Sequence, residues 1–168
     1  MGSRSPRIRG LLPLLIPWTS TMNEPTLCCR APGGYCDRCD LLVGLEGLHV
    51  IAVERDDGRA RPVLTVTVES APAPMGCRSC GVLAHAHGRV EVHLVDAPAM
   101  GRPVRIVWRK RRWVCPEPAC PVVSFVEQDE RIAMPRNVLT IRGCRWSIEQ
   151  IRREHASVNG LRRQLGTG

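Results

Sequence analysis

Two cysteine pairs, Cys77-Arg78-Ser79-Cys80 and Cys115-Pro116-Glu117-Pro118-Ala119-Cys120, limit what this chain can fold into more than any other feature of its sequence. Each pair is short enough to occupy one tight turn, and the stretch between them is long enough to fold back and set the second turn against the first. Four thiolates gathered in this way match the tetrahedral coordination of a structural zinc ion, the arrangement of a zinc ribbon. Between the pairs the residues alternate as strands do. Val90, Val92 and Leu94 share one face, Val104, Ile106 and Trp108 share another, and residues 96–101 supply the turn. Gly81, directly after Cys80, stands where such a knuckle needs a left-handed backbone.

The competing readings of the four cysteines are small buried hydrophobes or two disulfides. Compartment decides between them. Arg4, Arg7 and Arg9 precede an apolar run at residues 11–18, as in a signal peptide. The run is too short to cross a bilayer, is interrupted by Pro13 and Pro17, and lacks a small-residue cleavage site. A cytoplasmic protein with no membrane association is therefore expected, and reduced thiols there favour zinc over disulfides. His85, His87 and His93 are surface or strand residues on this reading, with His85 the best substitute ligand should one cysteine fail.

The net charge is +8, from 24 Lys and Arg that are all arginine except Lys110. Part of that bias can reflect a GC-rich coding sequence, but the clustering cannot. Residues 131–168 hold Arg131, Arg136, Arg142, Arg145, Arg152, Arg153, Arg162 and Arg163 against only Glu149 and Glu154. A polyanion, above all DNA, is the expected partner. A second basic run, Arg105, Arg109, Lys110, Arg111 and Arg112, interleaves with Trp108 and Trp113. On a strand, Arg109 and Arg111 face one way and Lys110 and Arg112 the other, so part of the run reaches any one phosphate track. The plain alternative is a solvated edge strand whose charges block aggregation.

The run from Cys77 through Gly101-Arg102-Pro103, the basic strand from Arg109 to Cys115, and Ser124-Phe125-Val126-Glu127-Gln128 together resemble the N-terminal zinc ribbon of the ISL-three family of bacterial insertion-sequence transposases. Residues 142–166 resemble the start of that family's helix-turn-helix. Members usually carry Thr where Val126 stands. The resemblance implies a structural zinc on Cys77, Cys80, Cys115 and Cys120, and DNA contacts by the basic strand and by Arg152, Arg153, Arg162 and Arg163. It also implies a longer protein, a homodimer among its expected forms, that cuts and joins DNA at terminal inverted repeats with metal ions held by acidic residues. Those residues fall beyond Gly168, so no catalytic residue is assigned and no enzymatic activity is expected of this chain.

The expected organisation is a small α+β chain. Residues 1–40, rich in Pro, Gly and Arg, form a disordered extension in which Cys28, Cys29, Cys36 and Cys39 raise a second metal site as a lesser option. Residues 41–74 form a β-hairpin and stiff linker, with strands from Leu41 to Glu54 and from Val63 to Val68 around Asp56-Asp57-Gly58. Residues 75–130 form the ribbon. Residues 136–168 form an incomplete helix-turn-helix. Within that segment an amphipathic helix of a small bundle is expected from Asn137 to His155, with Cys144, Ile148, Ile151 and His155 as its core stripe. The first helix of the helix-turn-helix is expected next, capped by Ser157, with Val158, Leu161 and Leu165 as its inner face and Gly166 at its end, and Thr167 is expected to cap the second helix, the one for the major groove. Two other functions fit the residues less well. One is a stand-alone zinc-binding DNA regulator. The other is a thiol redox protein using Cys77 and Cys80, for which the chain lacks the βαβ setting.

Overall fold

The computed structural model describes residues 35–58 and 62–167. Its elements in chain order are α1 (Asp37–Val43), β1 (Leu48–Asp56), β2 (Val63–Ser70), β3 (His85–Ala99), β4 (Arg102–Val114), β5 (Ser124–Val126), α2 (Ile141–Glu154) and α3 (Val158–Leu165). The fold is small α+β, as expected. Cys28, Cys29 and most of the proposed extension lie outside the described residues. Helix α1 begins before residue 41, so part of the segment assigned to that extension is helical, and the first strand starts at Leu48 rather than Leu41.

One mixed sheet carries the fold, in the order β1-β2-β4-β3, with β5 also pairing β4. The hairpin β1–β2 does more than lie beside the ribbon. Its second strand pairs in parallel with the first half of β4, from Leu64 opposite Val104 to Val68 opposite Trp108. Strand β3 forms an antiparallel hairpin with β4, and their turn is tighter than the sequence suggested: β3 runs on to Ala99, and only Met100 and Gly101 lie beyond it, both at positive φ. Two consecutive left-handed residues give a turn whose twist matches the strands it joins.

Register corrects the expected faces. Val92 lies opposite Trp108 and Leu94 opposite Ile106, so the two apolar rows share a face rather than occupying different ones. Directly opposed residues of an antiparallel pair project to the same side. Leu48, Val50, Val66, Val68, Leu94, Val104, Ile106 and Trp108 form this core, completed by Leu45, Ile132 and Ala133 from segments outside the strands. Trp108 is 1% exposed and is the largest fully buried side chain.

Helix α2 starts four residues later than expected because residues 138–140 are bonded to β3: Val95 N–H donates to Val138 O, and Thr140 N–H to Val95 O. The Thr140 hydroxyl then caps α2, accepting from Gly143 N–H at 2.9 Å. A Cβ on Gly143 would be crowded, 3.1 Å from Thr140 Oγ1 and 3.2 Å from Val95 O. The expected α2 core stripe is not one. Ile148 is 52% and Ile151 48% exposed, Cys144 is half-buried, and His155 is the left-handed residue ending the helix. The cause is that α2 buries its Gly143 side on the sheet, and no described element covers the other. Helix α3 follows the sequence reading more closely. Ser157 caps it, Gly166 ends it at φ 63°, and Leu161 and Leu165 are buried, while Val158 is exposed.

Candidate metal centre and basic surface

Both knuckles are assembled by the β3–β4 hairpin. The first immediately precedes β3 and the second immediately follows β4, and because His85 lies opposite Val114, the two turns meet at the open end. Each knuckle is closed locally. Around the first, Gly81 N–H donates to Cys77 O, Cys77 N–H to Val82 O and Ala84 N–H to Met75 O, each at 2.8 Å. Around the second, Cys115 N–H donates to Val123 O at 3.0 Å and Cys120 N–H to Glu117 O at 3.1 Å. Gly81 takes φ 77°, the left-handed conformation expected of it. Its need is conformational, because a Cβ there would meet nothing within 4 Å.

The four sulfurs converge. Cys77 Sγ lies 3.8 Å from Cys120 Sγ and Cys80 Sγ 3.5 Å from Cys115 Sγ, and all four lie within 4.8 Å of one another. A tetrahedron of zinc–sulfur bonds of about 2.3 Å has sulfur–sulfur edges of about 3.8 Å, so the cluster has the size of a zinc site. No histidine joins this group. Cys77 and Cys115 are buried, Cys120 is half-buried and Cys80 is exposed.

The electrostatics call for a cation. Backbone N–H groups of Cys80 and Ser79 point at the Cys77 sulfur and lower its pKa to about 6. Cys115 also receives a backbone N–H, from Glu117, but burial and the neighbouring sulfurs of Cys80, Cys77 and Cys120 push it up to about 12. Cys80 is raised as well, the lowering by the Val82 N–H and by Cys115 being outweighed by burial and by the sulfurs of Cys120 and Cys77. One thiolate is thus welcome in the cluster and further negative charge is resisted. A dication reverses that resistance and displaces the remaining protons. These four residues fit a structural Zn2+, which with four protein thiolates has no open position for water or substrate.

The basic strand is less available than its composition suggests. Lys110, expected at a phosphate, is buried at 7% exposure. Its Nζ donates to Gln128 Oε1 at 2.6 Å and lies 4.1 Å from the centre of the Trp108 ring, and burial lowers its pKa. Arg105 spans to α3, donating to Leu165 O at 2.8 Å and Gly166 O at 2.6 Å. Arg111 donates to Ser70 O at 2.9 Å, and Arg109 pairs with Glu91 at 3.9 Å. Arg112 is exposed, as are Arg152 and Arg153 in the last turn of α2 and Arg162 and Arg163 in the last turn of α3.

Two residues escaped the sequence reading. Arg78 is exposed on the first knuckle, close enough to Lys110 to contribute to lowering its pKa. An arginine inside the C-x2-C spacer was the available signal. Asp96, placed at the start of a turn by its sequence, is fully buried in β3. It accepts from Thr140 Oγ1 at 2.6 Å, from Arg142 Nε at 3.1 Å and from Arg142 Nη2, while Arg142 Nη1 donates to Val43 O. This node ties α1, β3 and α2 together, and no local pattern announces it.

Residues 73–120 match the model of the family described as the zinc-finger of transposase IS204/IS1001/IS1096/IS1165. That segment contains all four cysteines and the whole β3–β4 hairpin. That segment is therefore similar to the zinc ribbon of these transposases. No curated protein and no solved structure matches the chain. Among the described residues, no helix is long and apolar enough to cross a membrane.

Proposed function

We propose that this chain is a DNA-binding module of a transposase, which holds the ends of a mobile element through its zinc ribbon and its helices without contributing to cutting or joining. The observation that carries the reading is the convergence of Cys77, Cys80, Cys115 and Cys120 within a segment matching a transposase zinc finger. The basic excess supports it, because arginines that neutralise phosphates release counterions whatever the base sequence. The module's metal is structural, so its chemistry is confined to holding two turns together. Helix α3, capped by Ser157 and ended by Gly166, supports this reading as the first helix of a helix-turn-helix.

The test is fluorescence anisotropy of zinc-loaded protein with two labelled duplexes, one carrying the terminal inverted repeat and one scrambled, across a salt series. With about five phosphate contacts the slope of log affinity against log salt is about −4 to −5. Preference for the terminal repeat identifies transposon-end recognition, and a salt-independent affinity overturns the DNA reading. Incubation with magnesium or manganese should leave both duplexes uncut.

A further inference from the structure

Among the exposed basic groups, two sets stand at opposite ends of one rigid element. At the open end of the β3–β4 hairpin stand Arg78 on the first knuckle and Arg112 on β4, both exposed. Beyond the turn end lie Arg162 and Arg163 on α3, whose last carbonyls are fastened to β4 by both terminal nitrogens of Arg105. The fastening is close, since a Cβ on Gly166 would lie 2.9 Å from Pro103 Cβ. Between these ends Lys110 and Arg111 are held by internal partners, Gln128 and Ser70 O, and Arg109 lies beside the carboxylate of Glu91, which offsets its charge. From Arg105 to Arg112 is seven residues of strand, about 23 Å at roughly 3.3 Å per residue. On B-DNA that is about seven base pairs.

We propose that the β3–β4 hairpin is a spacer that holds two separate phosphate-contact zones, Arg78 with Arg112 and Arg162 with Arg163, about seven base pairs apart on one DNA duplex. It rests on the DNA-binding reading above and adds a geometry to it. Hydrogen-bonded pairing of β4 on both sides, with β2 and β3, makes the spacing fixed rather than flexible. Two zones on a rigid spacer bind a long duplex together and a short one only one at a time.

The experiment uses the full zinc-loaded chain, the paired variants Arg78→Ala/Arg112→Ala and Arg162→Ala/Arg163→Ala, and two duplexes. One has about 18 base pairs, and the other about six, closed by an uncharged linker, too short for both zones. All four side chains are exposed, and zinc content with far-UV circular dichroism confirms that the variants fold. On the long duplex, each pair should flatten the salt slope by about 1 to 2 units. On the short duplex, either pair alone should weaken binding no more than about twofold, because the other zone still engages. Equal losses on both duplexes for either pair, or a pair without effect on the long one, overturn the spacer while leaving DNA binding intact. Failure to bind any duplex at low salt overturns the DNA reading and the spacer with it.

Discussion

At the open end of the β3–β4 hairpin every residue from His85 to Glu91 is exposed, whereas Leu94, Val95 and Asp96 further along the same strand are buried. The open end has Trp113 as its one large buried apolar side chain on β4, and four thiols within 4.8 Å of one another. The other end has the apolar core centred on Ile106 and Trp108, the Asp96–Thr140–Arg142 node and the Arg105 clamp on α3. One strand pair is thus held by metal-ligand chemistry at one end and by ordinary packing at the other. A metal supplies in four bonds what a small fold has too little apolar surface to supply by burial.

Metal removal should break that contrast most strongly. Structural zinc sites contribute on the order of 10 kcal/mol, so chelation or Cys115→Ser should release the knuckles and the first half of β3. Hydrogen exchange should show lost protection there, with protection kept in β1, β2 and the first half of β4. Metal analysis should give about one zinc per native chain and none in the variant. Equal loss of protection in both halves would show that the core depends on the metal too.

Trp108→Ala attacks the other end. Removing a fully buried Trp should cost about 3–5 kcal/mol in urea melts of zinc-loaded protein, while zinc stoichiometry under native conditions stays unchanged. Arg142→Met is a smaller cut. It leaves Asp96 fully buried with Thr140 as its remaining side-chain donor, at a cost of about 1–3 kcal/mol. Amide protection should fall in α2, with the zinc site unaffected.

Lys110→Met should be smallest, within about 1 kcal/mol, because a buried ammonium is lost along with its contacts to Gln128 and Trp108. Burial lowers the Lys110 pKa, so between that folded value and the ordinary lysine value the unfolded chain binds more protons. Stability should rise with pH across that window in the native protein, and the variant should flatten the rise. Its salt slope with DNA should match the native one, since Lys110 does not reach the surface.

The knuckles, their glycine, the strand alternation and the Ser157 and Gly166 caps of α3 were legible because each is set by neighbours within a few residues. The α2 stripe misled because a period of apolar residues predicts a face, not that anything covers it. Helix α1 was missed for a related reason. Its seven residues lie beside Pro- and Gly-rich sequence, and it is fixed by long-range contacts: Asp40 accepts from Val50 N–H at 2.7 Å and Val43 O from Arg142.

By itself the sequence determined the four ligands, the two strands joining them and the basic excess, since spacing, alternation and charge are properties of local chain. The tertiary structure decided how those parts are used. Parallel pairing of β2 with β4 made hairpin and ribbon one sheet, and pairing of Leu94 with Ile106 put both apolar rows in one core. It also withdrew Lys110, Arg105 and Arg111 into internal contacts, leaving Arg112 exposed. A side chain's charge is written in the chain, but whether it meets solvent, a carbonyl or a ring depends on which distant strand the fold lays beside it.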